Sequence, residues 1–382
     1  MINIFAPINN LGYGVHANNM IKALAEEGHD TNLTAIGQVQ SDPFFEPYWK
    51  PAAEKINQFD KNNPSVFIFH DEYSHTFCGS PALAFSVFET TKLKSASKNM
   101  LDNGGSDVVL VTTKEHKSLL EPQIDKQVEV VVEGVDDSIF NTIPMDAHLD
   151  TGKFTYITVG KKEERKNTDM ILDSFMTMKD KNVALIAHTF NPFLHKEKDH
   201  PFKNLKCWTG KNPVSQGFEY KGFDGKAHKF THKDCDIYFT APTIPTSAMS
   251  SLYHSANVGI QASRGEGWDL PLAEMLACGL PVIATNCLGH KEYLEAAPDA
   301  QKQLTMELMG SEPAKDDIWF KDGEQGDWGI ADPDLLIAKL DGTFESADQY
   351  KEKNEAIADY MSENYSWRNS VKQLINVIDS CK

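Results

Sequence analysis

The chain has 382 residues, 41% of them hydrophobic, and a formal net charge of −18, which allows two domains of about 150 to 200 residues, each with its own core. The acidic balance argues against broad polyanion or membrane-surface binding, and no run of about 18 apolar residues is present to span a bilayer. The first eight residues lack the basic start and cleavage site of a signal peptide, and six cysteines without C-x-x-C spacing argue against a disulfide framework or zinc ribbon and suit a reducing cytoplasm.

Strands and helices alternate as in a doubly wound α/β protein. Ile2 to Pro7 reads as a strand, and Val15, Met20, Ile21 and Leu24 form a helical apolar stripe that Gly28 ends. The loop Asn10 to His16 joins them, and its Gly12-x-Gly14-x-x-Ala17 spacing satisfies the dinucleotide-binding fingerprint. The next strand, Thr31 to Ile36, ends in Gly37-Gln38 without the acidic residue that would hold a ribose, so a nicotinamide cofactor is not supported. Val66 to Phe69, Val108 to Val111 and Val128 to Val132 are further strands. His70-Asp-Glu-Tyr and Val87-Phe-Glu-Thr-Thr-Lys92 each follow an apolar run, and read either as an acceptor surface or as capped loop ends.

The first domain is set at 1–145, with a polar linker at about 141–152. The second, 152–362, continues through strands at Phe154 to Val159, Val183 to Ala187, Ile237 to Phe239, Val258 to Gln261 and Pro281 to Ala284. After its first strand comes Val159-Gly-Lys-Lys-Glu-Glu-Arg-Lys-Asn167. Fixed cations there, Arg165 and Lys166 with Lys161 or Lys162 as a third donor, suit a leaving group that gains negative charge as its bond breaks. The segment 195–233 holds nine lysines against four acidic residues, interleaved with Phe202, Trp208, Phe218, Tyr220 and Phe223. It reads as a surface insertion or as a face for a phosphate-rich acceptor. Asp234-Cys-Asp236 leads into a strand, and His195, His200, His228 and His232 with Cys207 and Cys235 fit no standard zinc spacing, so no metal site is assigned. The final segment, 363–382, carries Val371, Leu374, Ile375 and Ile378 on one helical face.

The most informative stretch is Arg264-Gly-Glu-Gly-Trp-Asp-Leu-Pro-Leu-Ala-Glu-Met-Leu-Ala-Cys-Gly279, followed by Leu-Pro-Val-Ile-Ala-Thr285. Gly265 and Gly267 let the backbone approach a ligand, Asp269 or Leu270 enters a helix with Pro271 at its first position, and Gly279 ends it. Glu266 therefore hangs in the loop while Glu274 lies about one turn into the helix. Free N–H groups between them form an anion site. A phosphate can dock there while both carboxylates accept hydrogen bonds from sugar hydroxyls.

This stretch resembles the signature of the family 4 retaining glycosyltransferases of GT-B fold, roughly E-G-F/W-G/N-L-P-x-x-E-x-x-A-C-G-x-P-V-I, and departs from it mainly at Trp268 and Asp269. Gly134-Val-Asp-Asp-Ser-Ile-Phe140 and the 159–167 cluster are similar to two further family elements, and Glu292 resembles a family glutamate. The resemblance implies two Rossmann-like domains facing across a cleft, with the last helix crossing back onto the first. It implies a nucleotide-sugar donor (UDP- or GDP-sugar) and no obligate cofactor or metal. Glu266, Arg165 and Lys166 would be catalytic, with Gly12, Gly14, Lys161, Gly267, Trp268, Asp269, Leu270 and Glu274 on the donor. His16, His70 and Glu89 would face a carbohydrate or other hydroxyl acceptor, Glu89 standing where many members carry a histidine. Two alternatives stay open: a GT-B enzyme acting on hydroxymethylated bases of viral DNA, which the basic insertion recommends, and a nucleotide-sugar-binding protein without turnover.

Overall fold

The computed structural model describes residues 1–190, 210–240, 244–316, 320 and 324–381. Two sheets, each carrying parallel strands flanked by helices, organise the chain. The first contains β1 (Ile2–Ala6), β2 (Thr31–Ala35), β3 (Ser65–Ile68), β4 (Ala82–Phe85), β5 (Val108–Val111) and β6 (Gln127–Val130) in the order β2-β1-β3-β4-β5-β6, all parallel. Every residue of β3, β4 and β5 is buried, which is why these strands read as unbroken apolar runs without alternation.

The second sheet contains β7 (Phe154–Lys161), β8 (Val183–Phe190), β9 (Glu219–Phe223), β10 (Ala227–His232), β11 (Cys235–Thr240), β12 (Val258–Gln261), β13 (Val282–Thr285) and β14 (Thr305–Met306). Its order is β14-β13-β12-β7-β8-β11-β10-β9, parallel as far as β11 and antiparallel in the last hairpin. That hairpin is the described part of the basic insertion. Residues 195–209, with His195, His200 and Cys207, lie outside the described residues. His228 is held by the Tyr220 hydroxyl and His232 by the Gly217 carbonyl, both at 2.9 Å, so these two histidines brace the hairpin.

In each sheet the strand order reverses once, between β1 and β3 in the first and between β7 and β12 in the second. In open α/β sheets, ligands bind at the carboxyl ends of the strands beside such a reversal. The chain crosses between the two layers at two adjacent places. Val135 forms a parallel bridge with Ser366, its N–H donates to the Tyr365 carbonyl at 2.7 Å, and the Trp367 N–H donates back to the Val135 carbonyl at 3.3 Å. Before the second crossing, Ile357, Met361 and Tyr365 pack in the core of the second sheet. After it, the helix Trp367–Ser380 lays Trp367, Val371, Leu374, Val377 and Ile378 against Ala17, Met20, Ile21 and Leu24 of the helix Gly12–Glu26. Among the described residues, no helix is long and apolar enough to cross a membrane.

The crossing depends on a missing side chain. A Cβ on Gly134 would collide with the backbone of Ser366 and Trp367. Gly134→Ala is therefore expected to destabilise the protein by about 1–3 kcal/mol, the usual cost of overpacking, seen as a lower urea midpoint. A midpoint equal to that of the parent would show that the two crossings are not packed this tightly in solution.

Candidate active site

The site forms where the reversal points of the two sheets face each other. Past β7, the single turn Glu164–Lys166 is closed by Asn167 in the left-handed conformation (φ 57°), the amide of which donates to the Ala262 carbonyl at 3.2 Å. This turn sends Arg165 and Lys166 toward the loop that follows the neighbouring strand β12. Arg165 is only 3% exposed. Its Nη1 donates to the Gly265 carbonyl at 2.8 Å and pairs with Glu266 at 2.6 Å; its Nη2 pairs with Glu89 at 2.7 Å and Glu163 at 3.2 Å. Lys166 bridges Glu266 at 2.7 Å and Asp269 at 3.1 Å, and Asp269 reaches His290 Nε2 at 3.1 Å. Lys161 holds Glu163 from the other end at 2.9 Å.

Four cations (Lys161, Arg165, Lys166 and His290) thus meet four carboxylates (Glu163, Glu89, Glu266 and Asp269) in one connected network. Burial alone would favour the neutral forms of Arg165, Lys166, Asp269 and His290, but mutual attraction wins for these four. Burial lowers the pKa values of Arg165 and Lys166, and the surrounding carboxylates more than restore them, holding both above their usual range. Asp269 is raised by burial and pulled below the usual carboxylate range by Lys166 and His290. For His290, burial is outweighed by Cys287 and Asp269, and the imidazole stays charged well above its ordinary pKa. Geometry demands the same: His290 Nδ1 faces the Thr285 carbonyl at 2.7 Å and Nε2 faces the Asp269 carboxylate. Both partners accept, so both ring nitrogens donate.

Glu266, Asp269 and His290 also offer atoms within 4.8 Å of one another, the spacing of a metal cluster. The Lys166 ammonium lies on both carboxylates.

Asp269 enters the helix Leu270–Ala277 with φ 77°, left-handed for a non-glycine residue. That conformation turns its carboxylate under the loop onto Lys166, His290 and Gln261, and its side chain caps no helix N–H. Trp268 is buried against Tyr293 and Tyr365. The two residues that depart from the family signature therefore shape the loop from beneath instead of facing the cleft. Leu270 begins the helix and Pro271 is second, one position later than expected. Glu274, further along, accepts from the Tyr253 hydroxyl at 2.6 Å, and burial lifts its pKa to about 8 against the pull of that hydrogen bond.

The glycines have a different reason from the one expected. Neither Gly265 nor Gly267 has a positive φ. A Cβ at Gly265 would strike the Glu89 carbonyl, and one at Gly267 would strike Val87; what approaches this loop is the segment after β4 of the opposite domain. The Thr112 hydroxyl donates to the Gly267 carbonyl at 2.5 Å, and Glu292 accepts from the Lys114 N–H at 2.9 Å, adding to the same clamp.

On the first-domain side, Gly12 is exposed at the start of its helix with nothing near a Cβ position, while a Cβ at Gly14 would meet Asn9. Tyr13 packs edge-on against His70, ring centroids 4.9 Å apart, so the loop after β1 and the loop after β3 meet at the reversal point. His70 is exposed there. His16 is not on this surface: it is fully buried, with Nδ1 2.8 Å from Glu133 and its ring against Phe85 and Trp367. Its helical position turns it into the core one turn beyond the exposed loop. Of the two lysines left undecided, Lys161 is part-exposed beside Glu163, whereas Lys162 is buried and directed at Asp169, 3.6 Å away.

Several participants escaped the sequence reading. Glu163 and His290 stand inside segments singled out for Arg165 and Glu292, but nothing in their spacing marks them as ion-pair partners. Tyr253 and Gln261 carry no local signal. Asp71, next to His70, is buried with its pKa lifted to about 7 by desolvation; it accepts from the Ser86 hydroxyl at 3.0 Å, and its other oxygen has no partner among the described residues.

Residues 174–307 match the family model described as glycosyl transferases group 1. No curated protein matches the chain in sequence. Among solved structures it is similar to sucrose-phosphate synthase from Thermosynechococcus elongatus, at 13% identity over 100% of this chain and 99% of that one, TM-score 0.66. It is also similar to Anabaena Alr3699/HepE in complex with UDP-glucose, at 12% identity over 99% of each chain, TM-score 0.63. A glycosyltransferase from Rickettsia africae ESF-5 is 15% identical over 100% of this chain and 98% of that one, TM-score 0.61.

Asp269→Ala leaves Lys166 and His290 buried without their shared carboxylate and is expected to cost about 3–5 kcal/mol in chemical unfolding; a loss under about 1 kcal/mol would refute the network. The raised pKa of His290 adds a pH signature. Its stabilisation is fully present below the unfolded value of about 6.5 and disappears as pH rises through the higher folded value. The stability gap between the parent and His290→Asn should therefore narrow from pH 6 to pH 10, and a gap that widens would show that the histidine is buried neutral.

Proposed function

We propose a retaining, metal-independent transferase, on the grounds that residues 174–307 match the glycosyl transferases group 1 model and that the two sheets share the GT-B frame of two Rossmann-like domains. It moves a sugar from a nucleoside-diphosphate sugar to an acceptor hydroxyl. The observation that carries this reading is the convergence of Arg165 and Lys166 on Glu266, at the reversal point of the second sheet, with Glu274 one turn further along the adjoining helix. Glu274 accepts from the ribose hydroxyls and Glu266 from the sugar. Arg165 and Lys166 take the charge that builds on the departing diphosphate, where a preorganised cation stabilises the transition state more than the ground state.

Retention follows if the acceptor attacks on the face the diphosphate leaves, with a donor phosphate oxygen taking the acceptor proton. The Lys166 bridge between Glu266 and Asp269 supports a reaction that needs no divalent ion. Gly12, Gly14 and Lys161 complete the donor side, and His70 and Glu89 the acceptor side, in a cytoplasmic setting. A hydroxyl acceptor is favoured over DNA because lysines of the described hairpin region are already engaged. Lys221, Lys229 and Lys233 pair with Glu219, Asp236 and Asp180, and Lys226 donates to the His148 carbonyl.

A thermal-shift panel of UDP-, GDP- and ADP-sugars tests the donor class, since a ligand at 100 times its Kd stabilises by about 2.7 kcal/mol; a flat panel would sink the assignment. Lys166→Ala is expected to lower kcat roughly 100 to 1,000-fold, the usual effect of losing one charge-stabilising donor, and unchanged turnover would remove Lys166 from the site. With Glu274 titrating near 8, hydroxyl groups that donate to its ionised form bind better as pH rises. Donor affinity should increase from pH 6 through pH 8 and level only above about pH 9, with Glu274→Gln flat across the range. A parent affinity that falls over that interval would contradict the ribose role.

A further inference from the structure

Arg165 has no terminal N–H left for a phosphate. Nη1 is engaged by the Gly265 carbonyl and Glu266, and Nη2 by Glu163 and Glu89. Its Nε has no partner among the described residues but is buried, so a diphosphate oxygen reaches the terminal nitrogens only by replacing one of the four. The Gly265 carbonyl is fixed backbone. Glu266 is anchored a second time by Lys166 and Glu163 by Lys161, and their side chains are only 4% and 6% exposed. Glu89 is different in each respect: its side chain is 33% exposed, Arg165 is its ion-pair partner among the described residues, and it arrives from the opposite wall of the cleft. Desolvation raises its pKa, Arg165 opposes this, and Glu266 and Glu163 add to it, whereas Glu163 and Asp269 are held below the usual carboxylate range by the cations beside them.

We propose that Glu89 occupies the place of the donor diphosphate on Arg165 when no donor is bound, and that its displacement by the donor releases it to hold the acceptor hydroxyl. The proposal rests on the transferase reading given above. Once displaced, the carboxylate lies at the end of β4, beside the Tyr13–His70 surface that closes the first-domain reversal point. Nη2 already carries Glu163 and Glu89 and has no N–H for a third acceptor, so diphosphate and Glu89 exclude each other at that nitrogen. A neutral sugar hydroxyl can then donate to the freed carboxylate, which acts as an acceptor-positioning residue.

The test is isothermal titration of UDP, GDP and ADP into the full-length parent, Glu89→Gln and Glu89→Ala at low ionic strength. Removing an internal competitor should tighten the preferred nucleoside diphosphate by roughly tenfold in both variants, with the same nucleotide preferred. A merely structural role cannot produce this result, because damage to the fold weakens binding and does not strengthen it. Parent and variants binding the same nucleotide equally, or the variants more weakly, would overturn the displacement while leaving a nucleotide-sugar site in place. No binding of any of the three by the parent would overturn the donor site and the displacement together.

Discussion

The fold of this protein is organised around one guanidinium. Arg165 is almost completely buried, and a buried cation is tolerated only where hydrogen-bonding anions surround it. Those anions come from three separate parts of the chain: Glu163 from its own turn, Glu266 from the loop after β12, and Glu89 from the other domain. Satisfying this one side chain therefore fixes the shape of the loop and the spacing of the cleft walls together. The network continues through Lys166 and Asp269 to His290, so a change of charge anywhere along it is felt at Arg165.

Sheet topology explains why these residues can meet. Each sheet presents its carboxyl ends to the cleft, and at each reversal two neighbouring loops diverge to opposite faces, leaving a crevice between them. In the second domain the crevice is filled by the turn Glu164–Lys166 and the loop Arg264–Gly267. In the first it is covered by Tyr13 and His70. Gly265 and Gly267 then allow the loops after β4 and β12 to approach at backbone distance, closer than side chains would permit. Conformational freedom is not what these glycines supply; they supply room.

Much of this was legible in the sequence. Fully buried strands announce themselves as apolar runs, the amphipathic last helix as a stripe, and Glu266, Glu274, Arg165 and Lys166 as charged groups beside glycine and proline punctuation. What stayed hidden has common physical causes. The left-handed φ of Asp269, which turns its carboxylate onto Lys166 and His290, leaves no periodic trace, and spacing does not show that Trp268 packs on Tyr293 and Tyr365. His16 lies within a helix turn of an exposed loop, and spacing alone does not show which way the turn faces. The choice between Lys161 and Lys162 depends on how β7 ends against Asp169, and the partnership of His290 with Asp269 joins positions 21 residues apart through a tertiary contact alone.

The double crossing near Gly134 has a mechanical consequence. Two covalent connections side by side, tied by a parallel bridge between Val135 and Ser366, act as a short axle, unlike one flexible tether or two widely spaced struts. Rotation about such an axle is cheap while sliding across it is resisted. A rotation that parts the two domains about this crossing must stretch the Glu89–Arg165 pair, which joins a loop of one to a turn of the other.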